Sequence, residues 1–234
     1  MAIRAFVVED HELLRAGIRA VLDREDDIEV VGEAGTASEA RRGLEQWRPH
    51  VMLIDPRLPD GDGLDLCREA TDVAPNVRCL VLAPRADDEL LTATIRSGAA
   101  GFLLTRTTVG ELVRSVRVIA AGGSLIDPSL LGRLLERVRT GGNGPTAPDA
   151  ALSHLSPQER RLLDLLAEGL TNRQVAARMG LAEKTVKNYV SNLLRKLHMS
   201  SRTEAAVYVT SMRMPRASSS RGESSPDESP LRVV

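Results

Sequence analysis

The stretch IRAFVVEDHELLRAGIRAVLDR, residues 3–24, decides the fold. It begins as a continuous apolar run, the pattern of a strand buried on both faces. The run ends in two carboxylates, Glu9 and Asp10. Apolar residues then recur at helical spacing, at Leu13, Leu14, Ile18, Val21 and Leu22. Four more units repeat this alternation. IEVVGEA (28–34) precedes TASEARRGLEQW (36–47), and HVMLID (50–55) precedes GLDLCREATDV (63–73). VRCLVLA (77–83) precedes ADDELLTATIRSG (86–98), and GFLL (101–104) precedes TVGELVRSVRVIAAG (108–122). Thr36 or Ser38 is placed to cap the second helix, and Gly98 and Gly122 to end the fourth and fifth. Five strand–helix repeats predict an α/β domain over residues 1–124. Its expected form is a doubly wound parallel sheet with right-handed crossovers and helices on both faces.

Residues 125–152 read as a linker with one further helix. LIDPSLLGRLLERVR (125–139) keeps helical spacing, and TGGNGPTAPDA (140–150) breaks it. Residues 153–214 are helical again. Ser156-Pro157 with Glu159 starts one helix and Gly169 ends it. Thr171 or Asn172 caps a short second helix that Gly180 ends; Glu183–Met199 forms a long third; Ser201 caps a fourth. A short helix, a tight turn and a long helix make an all-α helix-turn-helix domain. The tail, 215–234, is rich in Ser and Pro with balanced charge, and is expected to be disordered.

Composition narrows the function classes. The chain has 234 residues, 42% apolar and 27% charged, ordinary for a soluble globular protein. Aromatic residues are only 2%, so Leu, Val, Ile and Ala must build the core. No run of about 18 apolar residues occurs, so no membrane span is expected. The first dozen residues turn acidic too early for a signal peptide. Cys67 and Cys79, 12 apart, match neither a disulfide framework nor a zinc site and read as reduced cytosolic thiols. The net charge of −1 hides an asymmetry. Residues 1–139 carry 18 Arg against 23 acids; residues 151–214 carry 10 cations against 5 acids. All three lysines, Lys184, Lys187 and Lys196, fall within 13 residues. An acidic half joined to a basic half suggests a nucleic-acid-binding module on a non-binding one. The competing explanation is a solvated basic helix face.

Two constellations carry chemistry. In a doubly wound sheet, ligands bind at the carboxyl ends of the strands. If the first and third strands are adjacent, Glu9, Asp10 and Asp55 converge there. Such like charges call for a counter-cation, and oxygen ligands suit Mg²⁺. The alternative is that these acids cap helices or face solvent. In the basic domain, Val186, Val190, Leu193, Leu194 and Leu197 form an apolar stripe on the long helix. Lys184, Lys187, Asn188 and Ser191 lie near its amino-terminal half, mostly opposite. A recognition helix reads base edges there; Lys suits guanine and Asn suits adenine. Arg195 and Lys196, further along, suit phosphates, as do the backbone N–H groups at Thr171 and Asn172.

VVEDHELLRAGI (7–18) and LIDPRLPDGDGLDLC (53–67) resemble the receiver domain of bacterial two-component response regulators. LTNRQVAARMGLAEKTVKNYVSNLLRKL (170–197) resembles the LuxR/GerE-type helix-turn-helix. Over nearly its whole length the chain is similar to the NarL/FixJ family. The resemblance implies a flavodoxin-like receiver whose Asp55 accepts a phosphoryl group from a sensor histidine kinase. It implies Mg²⁺ held by Glu9, Asp10, Asp55 and the backbone carbonyl of Arg57, with Pro59 and Gly63 in the loop that follows. In one subgroup of the family the counterparts of Lys184, Lys187 and Asn188 touch bases. The last helix, with Ala205, Ala206 and Val209, serves there in dimerisation. The expected protein is a cytoplasmic, homodimeric regulator of a double-stranded DNA operator, and not an enzyme.

The second half of the receiver departs from the family. A Thr or Ser normally ends the fourth strand, where this chain has Ala83. Pro84 follows and has no N–H to donate. Thr105 stands where a Lys normally ends the fifth strand. Phe102 keeps the aromatic switch position. The phosphorylation switch is therefore expected to be degenerate. Competing readings are a conventional switch at Asp55, a Mg²⁺-dependent phosphotransfer protein or phosphate sink, and a small molecule or partner protein in place of phosphate. His11, His50, His154 and His198 share no spacing and read as structural or surface residues; Trp47 reads as core.

Overall fold

In the computed structural model, which describes residues 2–74, 76–125, 155–199 and 201–213, the five apolar runs pair as one parallel sheet. They are β1 (Ile3–Val8), β2 (Ile28–Ala34), β3 (Val51–Ile54), β6 (Arg78–Ala83) and β7 (Gly101–Leu104). The order is β2-β1-β3-β6-β7. The first strand thus lies centrally, beside the third, as a reversal of strand order at β1 and β3 requires. The short strands β4 (Arg57–Leu58) and β5 (Gly61–Asp62) form an antiparallel hairpin after β3 that apolar periodicity does not reveal.

Side chains alternate across the sheet and build two cores. Phe6, Val8, Met52, Ile54, Cys79, Val81 and Phe102 pack with α2 (Ala37–Trp47), α3 (Gly63–Val73) and α4 (Asp88–Arg96). Ala5, Val7, Val51, Leu53, Leu80 and Leu82 pack with α1 (Glu12–Leu22) and α5 (Val109–Ala120). Burying each large side chain is worth about 1.5–3 kcal/mol. Thr36, not Ser38, caps α2 by accepting the N–H of Glu39. Gly98 and Gly122, just past α4 and α5, take the left-handed backbone that ends a helix. Trp47 is 37% exposed, with its indole edge over Gly32; a Cβ on that glycine would lie 2.7 Å from the ring.

The second domain has four helices: α6 (Pro157–Ala167), α7 (Asn172–Met179), α8 (Glu183–Lys196) and α9 (Arg202–Arg213). Ser156 with Glu159 and Thr171 with Gln174 form reciprocal capping boxes. Gly180 ends α7 with φ 68°. The long helix stops at Lys196 rather than Met199, and His198 turns left-handed with φ 54°. Leu162, Leu166, Val175, Val186, Leu193, Leu197 and Ala205 form its core. The further helix expected within 125–139, the remaining linker up to residue 152 and the tail 215–234 lie outside the described residues, Leu125 apart. Among the described residues no helix is long and apolar enough to cross a membrane.

Candidate functional site

Adjacent β1 and β3 deliver Glu9 and Asp55 to one rim. Glu9, Asp10, His11 and Asp55 each place a ligand atom within 4.8 Å of the others. Glu9 and Asp55 are buried, at 1% and 5% exposure. The Asp55 carboxylate accepts the N–H of Arg57 at 2.6 Å. Burial, the largest cause, pushes both carboxyls above their usual range; the charge of Asp55 adds to this at Glu9, and that of Asp10 at Asp55. Glu9 Oε2 is buried without a hydrogen-bond partner among the described residues. His11 Nδ1 lies 2.9 Å from Glu9 Oε1 and 2.7 Å from Asp10 Oδ1. Its hydrogen bond to Glu9 and the charge of Asp10 raise it above an ordinary histidine. Arg15 donates to the Glu9 carbonyl oxygen at 2.6 Å and not to the cluster's carboxylates. A buried acceptor without a donor, among oxygen ligands, fits a hard divalent cation.

On α8 the faces separate as the spacing predicts. Val186, Val190 and Leu193 are buried, and Leu194 is half-buried. Lys184, Lys187, Asn188, Ser191 and Arg195 are all exposed. The Ser191 hydroxyl bonds back to the Lys187 carbonyl at 3.1 Å, and Arg195 donates to Asn192 Oδ1 at 2.9 Å. Lys196 is tied at 2.9 Å to Glu159 at the start of α6.

Comparisons with known proteins now bear on both sites. Residues 5–117 match the family described as "Response regulator receiver domain", and residues 153–209 match "Bacterial regulatory proteins, luxR family". The chain is 44% identical over 214 residues to the DNA-binding transcriptional activator DevR/DosR of Mycobacterium tuberculosis, covering 92% of this chain and 97% of that one. The chain belongs to the response regulators with a LuxR-type DNA-binding domain. It is 35% identical to the transcriptional regulatory protein LiaR of Bacillus subtilis over 88% of this chain and 96% of that one. The Salmonella typhimurium RcsB response regulator shares the fold, with a TM-score of 0.54 at 24% identity over 89% of this chain and 98% of that one.

In this response regulator the strand ends beside the acids carry Ala83 and Thr105. Ala83 ends β6 at 1% exposure and packs in the same core as Phe102, also at 1%. The Ala83 carbonyl accepts the Thr105 N–H at 2.9 Å, so the end of β6 carries no hydroxyl at 83 and the residue after β7 no ammonium at 105. Residues 1–124 contain no lysine, and Arg106 is exposed.

The two domains of the regulator meet at the other end of the sheet. The Asn172 N–H donates to the Ala121 carbonyl at 3.3 Å. Arg202, 2% exposed, donates to the carbonyls of Gly122 and Leu170 and to Asn172 Oδ1. The Thr203 hydroxyl donates to the Ala100 carbonyl at 3.1 Å. Gly122 allows this approach: its φ is +78°, and a Cβ there would lie 2.2 Å from Asn172 Nδ2.

Several placements differ from the sequence-based expectation. His11, read as structural or surface, is exposed and bonds Glu9 within the acid cluster. Asn172, expected to offer its N–H to a DNA phosphate, spends it on Ala121. Ala205 and Val209 are buried in their own domain's core, and of the three residues expected at a dimer face only Ala206 is half-buried. Arg202 and Arg78 escaped notice because no local motif marks them.

Proposed function

We propose that the regulator reads a specific duplex sequence with the amino-terminal half of α8, and that phosphorylation of Asp55 controls this only weakly. The observation that carries the reading is the exposure of Lys184, Lys187 and Asn188 together on a helix whose opposite face is locked into the core. Lys184 and Lys187 address guanine edges and Asn188 an adenine edge. Ser191 and Arg195, further along α8, contact the backbone, as does the Thr171 end of α7 once the domains separate. The regulator acts in the cytoplasm as a dimer on a two-fold operator, with Ala206 at the dimer face, and turns over no substrate.

The acid pocket accounts for the partial loss of control. Glu9, Asp10 and Asp55, with the Arg57 carbonyl, would hold Mg²⁺, and the bound ion would supply the charge that offsets the pocket's carboxylates for an incoming phosphoryl group. A sensor histidine kinase can therefore still phosphorylate Asp55. The response is what is missing. Ala83 brings no hydroxyl, Pro84 no N–H and Thr105 no ammonium. A ligand shifts a two-state equilibrium only through differential contacts. Phe102 is already turned into the core beside Ala83.

Operator footprinting tests the DNA reading. Asn188→Ala should cost about 1–3 kcal/mol and relax sequence preference. Arg195→Ala should weaken all sequences alike and lower the salt slope by about one. Unchanged affinity and preference in Asn188→Ala would overturn the assignment.

A further inference from the structure

A cavity of about 960 Å³ lies between the receiver and the DNA-binding domain, at the amino ends of β3 and β6. Its polar lining is one-sided. Arg48, Arg78, Lys187 and Arg202 line it, and Glu45 is the only carboxylate among the described lining residues. Two of its donors are left over. Arg202 Nε and Asn172 Nδ2 are buried without a partner among the described residues. The Arg78 guanidinium, half-buried at the start of β6, has neither a hydrogen bond nor an ion pair among them. Burial, and then the like charge of Arg78, push the Arg202 guanidinium down to about 9. Burying cations without an anion is costly, and each orphaned donor adds to that cost. Val77, Val190 and Leu194 supply apolar wall beside these donors. The volume suits a ligand of metabolite size.

We propose that this interdomain cavity binds a small organic oxyanion, its phosphate or carboxylate oxygens held by Arg202, Arg78 and the Asn172 amide. Guanidinium groups match such oxygens with paired N–H donors. The occupant sits between the domains and ties α9 and α7 to the receiver. Lys187 and Ser191 line the same cavity, so an occupant and duplex DNA compete for this face of α8; that consequence rests on the DNA-binding reading, whereas occupancy itself does not.

Titration calorimetry of pyrophosphate into the full chain tests the site without DNA. Chelator is present and ionic strength is held with chloride, which removes Mg²⁺-dependent binding at Asp55. The expected result is saturable one-to-one binding, weakened about tenfold or more, or 1.4 kcal/mol, by Arg78→Gln. Asn172→Asp, which puts a carboxylate among the donors, should abolish it, and the exposed Arg85→Gln should leave it unchanged. Arg202→Gln should match Arg78→Gln; if that variant fails to fold, Arg78→Gln alone decides. Tricarboxylate in place of pyrophosphate separates the sources: tighter binding of either one, with the same dependence on Arg78, supports the site and names its chemistry. No saturable binding of either anion overturns the proposal. So does binding that survives Arg78→Gln but is lost in Lys184→Ala, because the anion then sits on the exposed helix face.

Discussion

The two ends of the receiver sheet carry opposite excesses. At the carboxyl end, Glu9, Asp10 and Asp55 crowd together with a buried acceptor, Glu9 Oε2, left over among the described residues. At the amino end, Arg78, Arg202 and Asn172 crowd together with the buried donors Arg202 Nε and Asn172 Nδ2 left over among the described residues. One end is short of a cation and the other of an anion. Each imbalance points to a partner of the opposite sign, because an orphaned buried group costs about 1–3 kcal/mol. The ends differ in what they can transmit. The acid end keeps its carboxylates, and on the proposed reading Ala83, Pro84 and Thr105 supply no hydroxyl, amide or ammonium to register a phosphoryl group. The arginine end is bonded directly to α7 and α9 of the DNA-binding domain. On the two readings proposed above, control of this regulator belongs at the amino end and not at Asp55.

A glycine seats each end, and substituting them should separate the two. A Cβ at Gly63 would lie 2.0 Å from the Asp55 carbonyl oxygen, which is backbone and cannot yield. Gly63→Ala should cost about 2–3 kcal/mol of stability, seen as a lower denaturant midpoint at an unchanged slope. A loss no larger than that of Gly110→Ala, where a Cβ meets nothing within 4 Å, would mean the acid end is far more plastic than its packing implies. At Gly122 the clash is with a side chain, Asn172 Nδ2, and the φ of +78° adds strain. Gly122→Ala should cost about 1–2 kcal/mol. Its distinguishing effect is on domain docking: the Asn172 amide, bonded to Ala121, should exchange with solvent deuterium markedly faster while the β1 and β3 amides keep their protection. Equal protection at Asn172 in both proteins would show that docking does not depend on this contact.

Phosphorylation tests the asymmetry between the ends directly. Acetyl phosphate with Mg²⁺ should change operator affinity by less than tenfold, about 1.4 kcal/mol of coupling. A larger rise, abolished by Asp55→Ala, would restore the acid end as the switch.

The sheet was legible because its strands are buried on both faces. Runs such as AFVV and LVLA cannot be mistaken for amphipathic helix, and Glu9 and Asp55 follow from the rule that strand carboxyl ends hold ligands. The faces of α8 were legible for a similar reason: Val186, Val190 and Leu193 share the helical period. The amino end was not. Arg202 meets Gly122 across 80 residues of chain, and Asn172 is buried by a domain contact no local pattern encodes. Ala205 and Val209 looked available for dimerisation because periodicity marks an apolar face but not what covers it. His11 bonds its own chain neighbours, Glu9 and Asp10, a local contact that a search for shared histidine spacing passes over.

The smallest expected effect concerns Asp60, in the turn between β4 and β5. It braces the loop that follows Asp55 against α2 by accepting the N–H groups of Ala37 at 2.6 Å and Ser38 at 3.0 Å. The Ser38 side chain, then these N–H groups, hold its carboxyl at about 2. A carboxyl depressed on folding contributes stability that is present above its unfolded value of about 4 and is lost as pH falls through its folded value. The stability gap between the wild type and Asp60→Asn should therefore be constant from neutral pH to about pH 5. It should then narrow between pH 4 and pH 2. Asp60 is solvent-exposed and its bonds are screened, so the gap should be the smallest of these effects. Denaturant midpoints for both proteins across this range provide the measurement. A gap that persists undiminished at pH 2 would show that Asp60 braces α2 by shape and not by charge. The acid end would then owe less to its carboxylates than the comparison with the arginine end supposes.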